Sequence, residues 1–378
     1  MIEMANRRAF LRGAAGCAAL WGVGAELASA SRASAPAFAP LKLLILGGTG
    51  FLGPQFVEAA TQRGHVVTLF NRGKTNPGLF PSLEKLQGDR NVKEALKVFE
   101  GRKWDAVVDT SGYVPKQVRD ACSILAPNIG HYVFISTCSV YKDNSKIGID
   151  ETAQVATIDN PQTDKVTDAT YGPLKALCEK AAEEAMPGRV SNVRPGLIVG
   201  PGDPSDRFTY WPVRVARGGK VLAPHAPDER IQLIDVRDLG EWLVRLCETR
   251  SAGVFNALGP SPDHPLTMGT MLNACKTVSK SDAQFIWADE SFLEQQKVSA
   301  WGDMPAWAPN RGETAGFASI RNDRAVKAGL TLRSIEDTAK ATLDWFRTLP
   351  EDRQRRLKAG LTPDREAEVL KAWESRKS

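Results

Sequence analysis

Tyr171-Gly172-Pro173-Leu174-Lys175 sets a phenol and an ammonium four residues apart, on one face at the start of a helix. A phenol titrates at about 10, so it exchanges protons usefully at neutral pH only beside a cation. Upstream, Phe134-Ile135-Ser136-Thr137-Cys138-Ser139-Val140-Tyr141 ends an apolar run in a row of hydroxyls. Gly47-Gly48-Thr49-Gly50-Phe51-Leu52-Gly53 supplies a third feature, with glycines at 47, 50 and 53. Glycine there permits a tight turn and close backbone approach to a pyrophosphate held at a helix N-terminus. The chemistry implied is proton transfer beside a bound dinucleotide.

The elements that must position these groups follow from the hydrophobic pattern. Leu41–Leu46 is an apolar run ending in glycine, as a buried parallel strand should be. Helix and strand patterns then alternate: helix 52–63, strand 65–70, helix 91–99, strand 105–109, helix 116–125, strand 131–136, helix 172–186 and strand 190–193. That rhythm predicts an α/β fold, a Rossmann-type doubly wound parallel sheet. Beyond Gly200 it loosens; a strand is expected at 231–236 and a helix at 239–248. Residues 259–320 are mixed, and helices are expected at 335–346 and 363–373. The division predicted is a cofactor domain over 41–205, to which 230–258 returns. A smaller mixed substrate lobe with a helical C-terminus takes 206–229 and 259–378.

The second strand decides the expected cofactor. NAD-binding units usually place an acid there for the adenosine ribose. Here the strand runs Leu69-Phe70-Asn71-Arg72-Gly73-Lys74, with no acid. Arg72, with Lys74, suits a 2′-phosphate, because a guanidinium fork pairs with phosphate oxygens. NADP is expected, with NAD as the alternative.

Together the glycine loop, the Ser-Thr segment and the Tyr-x-x-x-Lys pair resemble the extended short-chain dehydrogenase/reductase superfamily, in its NAD-dependent epimerase/dehydratase branch. The resemblance runs from about Leu41 to Leu258. It implies that Tyr171 is the general acid/base, that Lys175 holds a ribose and lowers the tyrosine pKa, and that Thr137 bonds the substrate oxygen. It further implies cofactor contacts from Gly47, Thr49, Gly50, Phe51, Leu52, Gly53, Asn71, Asp89, Thr110, Ser111, Gly112, Ser136, Pro195 and Gly196. The 4,6-dehydratases of this branch follow the threonine with Asp-Glu; here Cys138 and Ser139 stand there, which disfavours dehydration. Ser139, Arg207, Tyr210, Trp211, His225, Gln232 and Arg237 are the candidates for a polar, sugar-like substrate. Asp235-Val236-Arg237-Asp238 is explained equally well by a structural salt bridge.

Composition removes other classes. The chain of 378 residues is 42% hydrophobic and 25% charged, with a formal net charge of +5, which marks an ordinary globular protein without a nucleic-acid footprint. His65, His131, His225 and His264 stand far apart, so no metal site is expected. Six cysteines are too few for a disulfide framework. Asn6-Arg7-Arg8-Ala9-Phe10-Leu11-Arg12 resembles a twin-arginine export signal, followed by an uncharged stretch too short to span a bilayer and by Ala-x-Ala patterns near residue 35. Residues 1–35 are therefore expected to direct export to the periplasm by the twin-arginine machinery, with no stable membrane anchor. An exported enzyme lacks a recycling cofactor pool, which favours tightly held NADP and a closed redox cycle, as in epimerisation. The competing reading is a non-catalytic NADP- or RNA-binding protein on the same fold, of the kind found in chloroplast stem-loop binding proteins. Homodimerisation is left open.

The export reading has a direct test. Replacing Arg7 and Arg8 together by lysine should leave the precursor in the cytoplasm on fractionation; undiminished export of that variant refutes the signal.

Overall fold

The computed structural model describes residues 38–376, and the expected export signal lies outside them. Seven parallel strands form the central sheet: β1 (Lys42–Leu46), β2 (Val66–Asn71), β3 (Glu84–Gln87), β4 (Trp104–Asp109), β5 (Ile129–Ile135), β6 (Val190–Pro195) and β7 (Gly253–Ala257). Their spatial order is β7-β6-β5-β4-β1-β2-β3. The chain reverses direction across the sheet between β1 and β4, and Leu43 to Leu46 of β1 pair in register with Ala106 to Asp109 of β4. Such a reversal opens a crevice at the carboxyl ends of the strands.

Burial on both faces explains the strand sequences. Leu43, Leu44, Ile45 and Leu46 are at most 1% exposed, so β1 has no polar face to alternate. Helices α1 (Leu52–Gln62) and α5 (Val236–Thr249) cover one face through Phe56, Val57, Leu239 and Leu243. On the other face, α2 (Pro115–Leu125) and α3 (Asp168–Ala185) pack Val118, Cys122, Cys178 and Ala182 against Val107, Tyr132 and Phe134. Close approach of α1 and α5 requires Gly240, where a Cβ would stand 2.8 Å from the Gln55 backbone.

A second core is built from later sequence. It gathers Phe208 with Tyr210 and Trp211 of α4 (Tyr210–Ala216), Met268, Met271 and Leu272 of α6 (Met268–Ser279), and Phe292 and Trp307. Strand 220–224 pairs with strand 284–288 beside it. α7 (Ile335–Arg347) and α8 (Pro363–Ser375) complete this lobe, contributing Ala339 and Val369 to its core.

Several elements depart from the sequence pattern, each for a local reason. The 91–99 segment is a 3-10 helix over Lys93–Phe99. α3 begins at Asp168, because Thr167 caps it by accepting from the Thr170 amide at 3.3 Å. The expected strand 231–236 is two pieces: Arg230–Ile231 pairs with Leu266–Thr267, while Leu233–Asp235 pairs with Leu197–Val199. The sequence pattern also missed β3, a short and largely exposed edge strand, and β7, the other edge. Residues 323–330, grouped with the substrate lobe from sequence, put Ala325 and Leu330 into the core under α1 and α5.

Candidate active site

A cleft of about 880 Å³ opens at the carboxyl ends of the strands. Its floor begins with the glycine loop, fixed by the Gly47 amide donating to the Phe70 carbonyl at 2.8 Å and by Asn71 Nδ2 donating to the Gly47 carbonyl at 3.1 Å. Gly47 has φ +122°, and a Cβ there would stand 2.2 Å from Thr110 Oγ1. At Gly53 a Cβ would stand 2.5 Å from the Gly48 backbone. Gly50 is different: a Cβ there meets nothing within 4 Å, since this residue borders the open cleft. The loop then enters α1, so its amides and the helix N-terminus together form a cradle that fits a dinucleotide pyrophosphate.

Arg72 and Lys74 border the cleft beside Asp89, as Thr110 and Ser111 do at the end of β4. Asp89 accepts from the Asn91 amide and side chain, both at 2.9 Å; these bonds, with the charges of Arg72 and Lys74, hold its carboxyl below the ordinary range. Behind this wall lies a group that sequence reasoning missed. Arg90 forks onto both oxygens of fully buried Asp109 at 2.6 and 2.8 Å, and Tyr132 donates to the same carboxylate at 2.7 Å.

At the other end, α3 presents Tyr171, Lys175 and Glu179 on one face. Gly172 brings the helix close, because a Cβ there would lie 2.1 Å from the Ser139 carbonyl. Tyr171 lies beside Thr137, whose Oγ1 accepts from the Ser139 amide at 3.1 Å and donates to Ser139 Oγ at 3.2 Å. Lys175 Nζ donates to the carbonyls of Gly112 at 2.6 Å and Ile135 at 2.5 Å, and lies 4.2 Å from the Phe134 ring centroid. Glu179, one turn on, was not anticipated. It accepts from Ser136 Oγ at 2.5 Å and clasps Arg194 at 2.6 and 2.9 Å. Its position four residues past Lys175 was the available signal.

Burial acts on both members of this pair. Burial raises the Tyr171 phenol, opposed by the Thr137 bond and the charge of Arg207. Burial also pushes Lys175 down to about 8. Two of its three donors go to the carbonyls of Gly112 and Ile135, which offset part of that desolvation.

Of the sequence-derived residues, Gly47, Thr49, Gly50, Phe51, Leu52, Gly53, Asn71, Arg72, Lys74, Asp89, Thr110, Ser111, Ser136, Thr137, Ser139, Tyr171, Lys175, Pro195, Gly196 and Arg207 border the cleft. Gly112 stands just behind it, serving through its carbonyl. The structure places the remaining substrate candidates elsewhere. Tyr210 and Trp211 are at most 1% exposed in the second core, where Trp211 Nε1 donates to the Pro305 carbonyl at 2.6 Å. Gln232 ties Pro260 and Ile320 together through their backbones. Arg237 forks onto Asp235 at 2.7 and 3.0 Å, the structural salt bridge, and His225 sits 3.7 Å from Glu229. Asp203, at the end of the Gly200-Pro201-Gly202-Asp203 run that the sequence places before a substrate loop, borders the cleft, as do Tyr113, Trp301 and Phe317, which were not anticipated.

The region holding the Tyr-Thr-Lys group can be placed among known proteins. Residues 114–257 match the NAD dependent epimerase/dehydratase family. That match spans well under half of the chain, but it contains Thr137, Tyr171 and Lys175. Among curated proteins, the chain is 26% identical over 253 residues to the chloroplast stem-loop binding protein of 41 kDa b from Arabidopsis thaliana, covering 62% of each. It is 29% identical over 183 residues to the 2-alkyl-3-oxoalkanoate reductase of Stenotrophomonas maltophilia, covering 43% of this chain and 52% of that one. The chain thus spans about half to two-thirds of these relatives. In fold it is similar to UDP-glucose 4-epimerase of Thermotoga maritima solved with UDP-glucose (TM-score 0.58, 17% identity, 81% of this chain and 98% of that one). It is also similar to WbmH of Bordetella bronchiseptica with NAD+ (TM-score 0.60, 17%, 82% and 99%) and to RMD of Pseudomonas aeruginosa with NADPH (TM-score 0.54, 17%, 82% and 100%). These likenesses establish the Rossmann architecture. They do not separate NADP from NAD.

Lysine in an unfolded chain titrates at about 10.4. Between about 8 and that value the unfolded chain binds more protons at Lys175, so the cost of burying this ammonium is full below about pH 8 and is relieved as pH rises. NMR of isotope-labelled lysine side chains should show one resonance titrating near pH 8, absent in Lys175→Met. Every lysine titrating with the free amine refutes this environment.

Proposed function

We propose that this chain is an NADP-dependent oxidoreductase or epimerase acting on a hydroxyl or carbonyl of a sugar-like molecule. The reading includes export by the twin-arginine route and cofactor retained through turnover. What carries it is the continuity of one cleft, with the glycine cradle at one end and Thr137, Tyr171 and Lys175 at the other. Nicotinamide, when bound, supplies or accepts the hydride. The chain's own residues manage the proton and the geometry. Thr137 orients the substrate oxygen, and Tyr171 donates a proton as a carbonyl is reduced or takes one as a hydroxyl is oxidised. Lys175, with one N–H beyond its two carbonyl bonds, is the group to reach a ribose hydroxyl.

Dehydration is disfavoured because Cys138 cannot take the part of an acid there. It is buried, its thiol donates to the Arg194 carbonyl at 3.2 Å, and its pKa is raised by burial. A binding protein is the second reading, favoured by the likeness to a stem-loop binding protein. Tyr171→Phe separates the two. Fold and cofactor content should survive while turnover falls roughly 100- to 10,000-fold, the usual scale of a lost general acid/base. Near-normal turnover in that variant overturns the catalytic assignment.

Cofactor choice rests on Arg72. Arg72→Ala should weaken NADP binding about tenfold or more, the value of a charge-assisted contact, and change NAD binding little. Equal losses in a titration of both cofactors refute the NADP assignment.

A further inference from the structure

Beyond Tyr171 the cleft continues between Asp203, Arg207, Trp301 and Phe317. This end is rigidly built. Asp206, fully buried at φ +60°, accepts from Arg353 at 2.6 Å and from the Lys358 amide at 2.9 Å, and Lys358 Nζ donates to the Pro204 carbonyl at 2.9 Å. Trp301, at φ +63°, is held by its amide bond to the Trp307 carbonyl at 2.9 Å, and the Gly360 amide donates to the Gly302 carbonyl at 3.2 Å. One C-terminal stretch, 353–360, thus fixes both loops. Residues kept in a sparsely populated backbone conformation by several neighbours often mark a ligand site.

Two polar groups between the fixed loops keep hydrogen-bonding capacity that no described residue uses. Arg207 lies 5.8 Å over the Trp301 ring and spends Nε on Ser205 Oγ at 3.1 Å; among the described residues its terminal nitrogens have no protein partner. The other cations of the cleft are placed differently. Arg90 is paired with Asp109, Lys175 is bonded to two carbonyls, and Arg72 and Lys74 stand beside Asp89 at the far end. Asp203 is 2% exposed. Its Oδ1 accepts from the Ser205 amide and hydroxyl, but Oδ2 is buried without a partner. Burial raises the Asp203 carboxyl, opposed by the Ser205 bonds and by the nearby charge of Arg207, and its unbonded oxygen still asks for a donor. The terminal nitrogens of Arg207 in turn suit an anionic acceptor.

We propose that Asp203, Arg207 and Trp301 form a subsite for an anionic polyol. A substrate hydroxyl donates to Asp203 Oδ2, a neighbouring carboxylate or phosphoryl oxygen accepts from Arg207, and the carbon skeleton lies against the Trp301 ring. This rests on the reading of the cleft as a catalytic centre and narrows its substrate class. A neutral sugar meets only half of the subsite, and a bare anion meets Asp203 with repulsion.

The test is calorimetric titration of the full chain with four probes: D-glucuronate, D-glucose 6-phosphate, D-glucose and inorganic phosphate. Glucuronate or glucose 6-phosphate should bind roughly 10- to 100-fold tighter than glucose and than inorganic phosphate, and whichever wins identifies the anion. Arg207→Gln should abolish the preference over glucose, with Arg207→Lys restoring part of it. Asp203→Asn should abolish the preference over inorganic phosphate, and Trp301→Ala should weaken both polyol anions. Circular dichroism and NADPH affinity, measured on each variant, should not change. Equal binding of glucose and the polyol anions, no binding of any probe, or a preference that survives Arg207→Gln overturns the subsite. Anion preference in a chain that binds no NADPH would instead sink the enzyme reading and leave the subsite standing.

Discussion

A single buried ammonium joins the three elements on which the site depends. Lys175 reaches from α3 to the carbonyls of Gly112, just beyond β4, and Ile135, at the end of β5. Desolvating a charge is unfavourable by several kcal/mol even after relaxation, so the arrangement persists only because both carbonyls and the Phe134 ring face stabilise it. The same contacts fix where Tyr171 can be, four residues earlier on the helix. Gly172 then sets the spacing between α3 and the Thr137–Ser139 turn, since any larger residue would strike the Ser139 carbonyl. Geometry at the phenol is therefore inherited from a lysine that burial pushes down to about 8.

Two ionic clusters flank this staple and do not touch the open cleft through their carboxylates. Arg90, Asp109 and Tyr132 lock the end of β4 behind the cleft wall. Glu179, Arg194 and Ser136 lock β5 and β6 under the Tyr171 end, extended by Tyr141 donating to Asn256 at 2.6 Å. Buried pairs of this kind contribute little net stability against apolar replacements, though losing one partner is severe. Their value here is positional: each oxygen is committed, so the strand ends have one arrangement.

The sheet and the glycine loop at its carboxyl edge were legible because their signals are local. A buried strand running into glycines and then a helix, as in 41–62, carries its whole meaning within some twenty residues. Tyr171 and Lys175 were legible for the same reason, being one helical turn apart. Edge strand β3 was not, because Glu84-Lys85-Leu86-Gln87 has neither alternation nor hydrophobic continuity. Gln232, Tyr210 and Trp211 misled because their types suit a polar ligand, whereas their partners, Ile320, Gly360 and Pro305, come from more than 80 residues away. Nothing near them in sequence announces that pairing. Arg237 was ambiguous, and Asp235, two residues before it, resolved it into a salt bridge.

This contrast between local and non-local construction bears on how the two ends of the cleft can vary. The cradle needs glycines at fixed offsets and a helix start, so its sequence is narrowly constrained by backbone sterics. The far end needs only that two loops be held at the right separation, and here 353–360 does so from the opposite end of the chain. Side chains carried on such loops can change without disturbing the sheet, since neither core draws on Arg207, and Trp301 only packs against the edge of one. The family match over 114–257 includes Asp203 and Arg207 but stops short of Trp301 and of residues 353–360. The match therefore reaches the loop that carries Asp203 and Arg207, but not the C-terminal residues Arg353 and Lys358 that hold that loop in place.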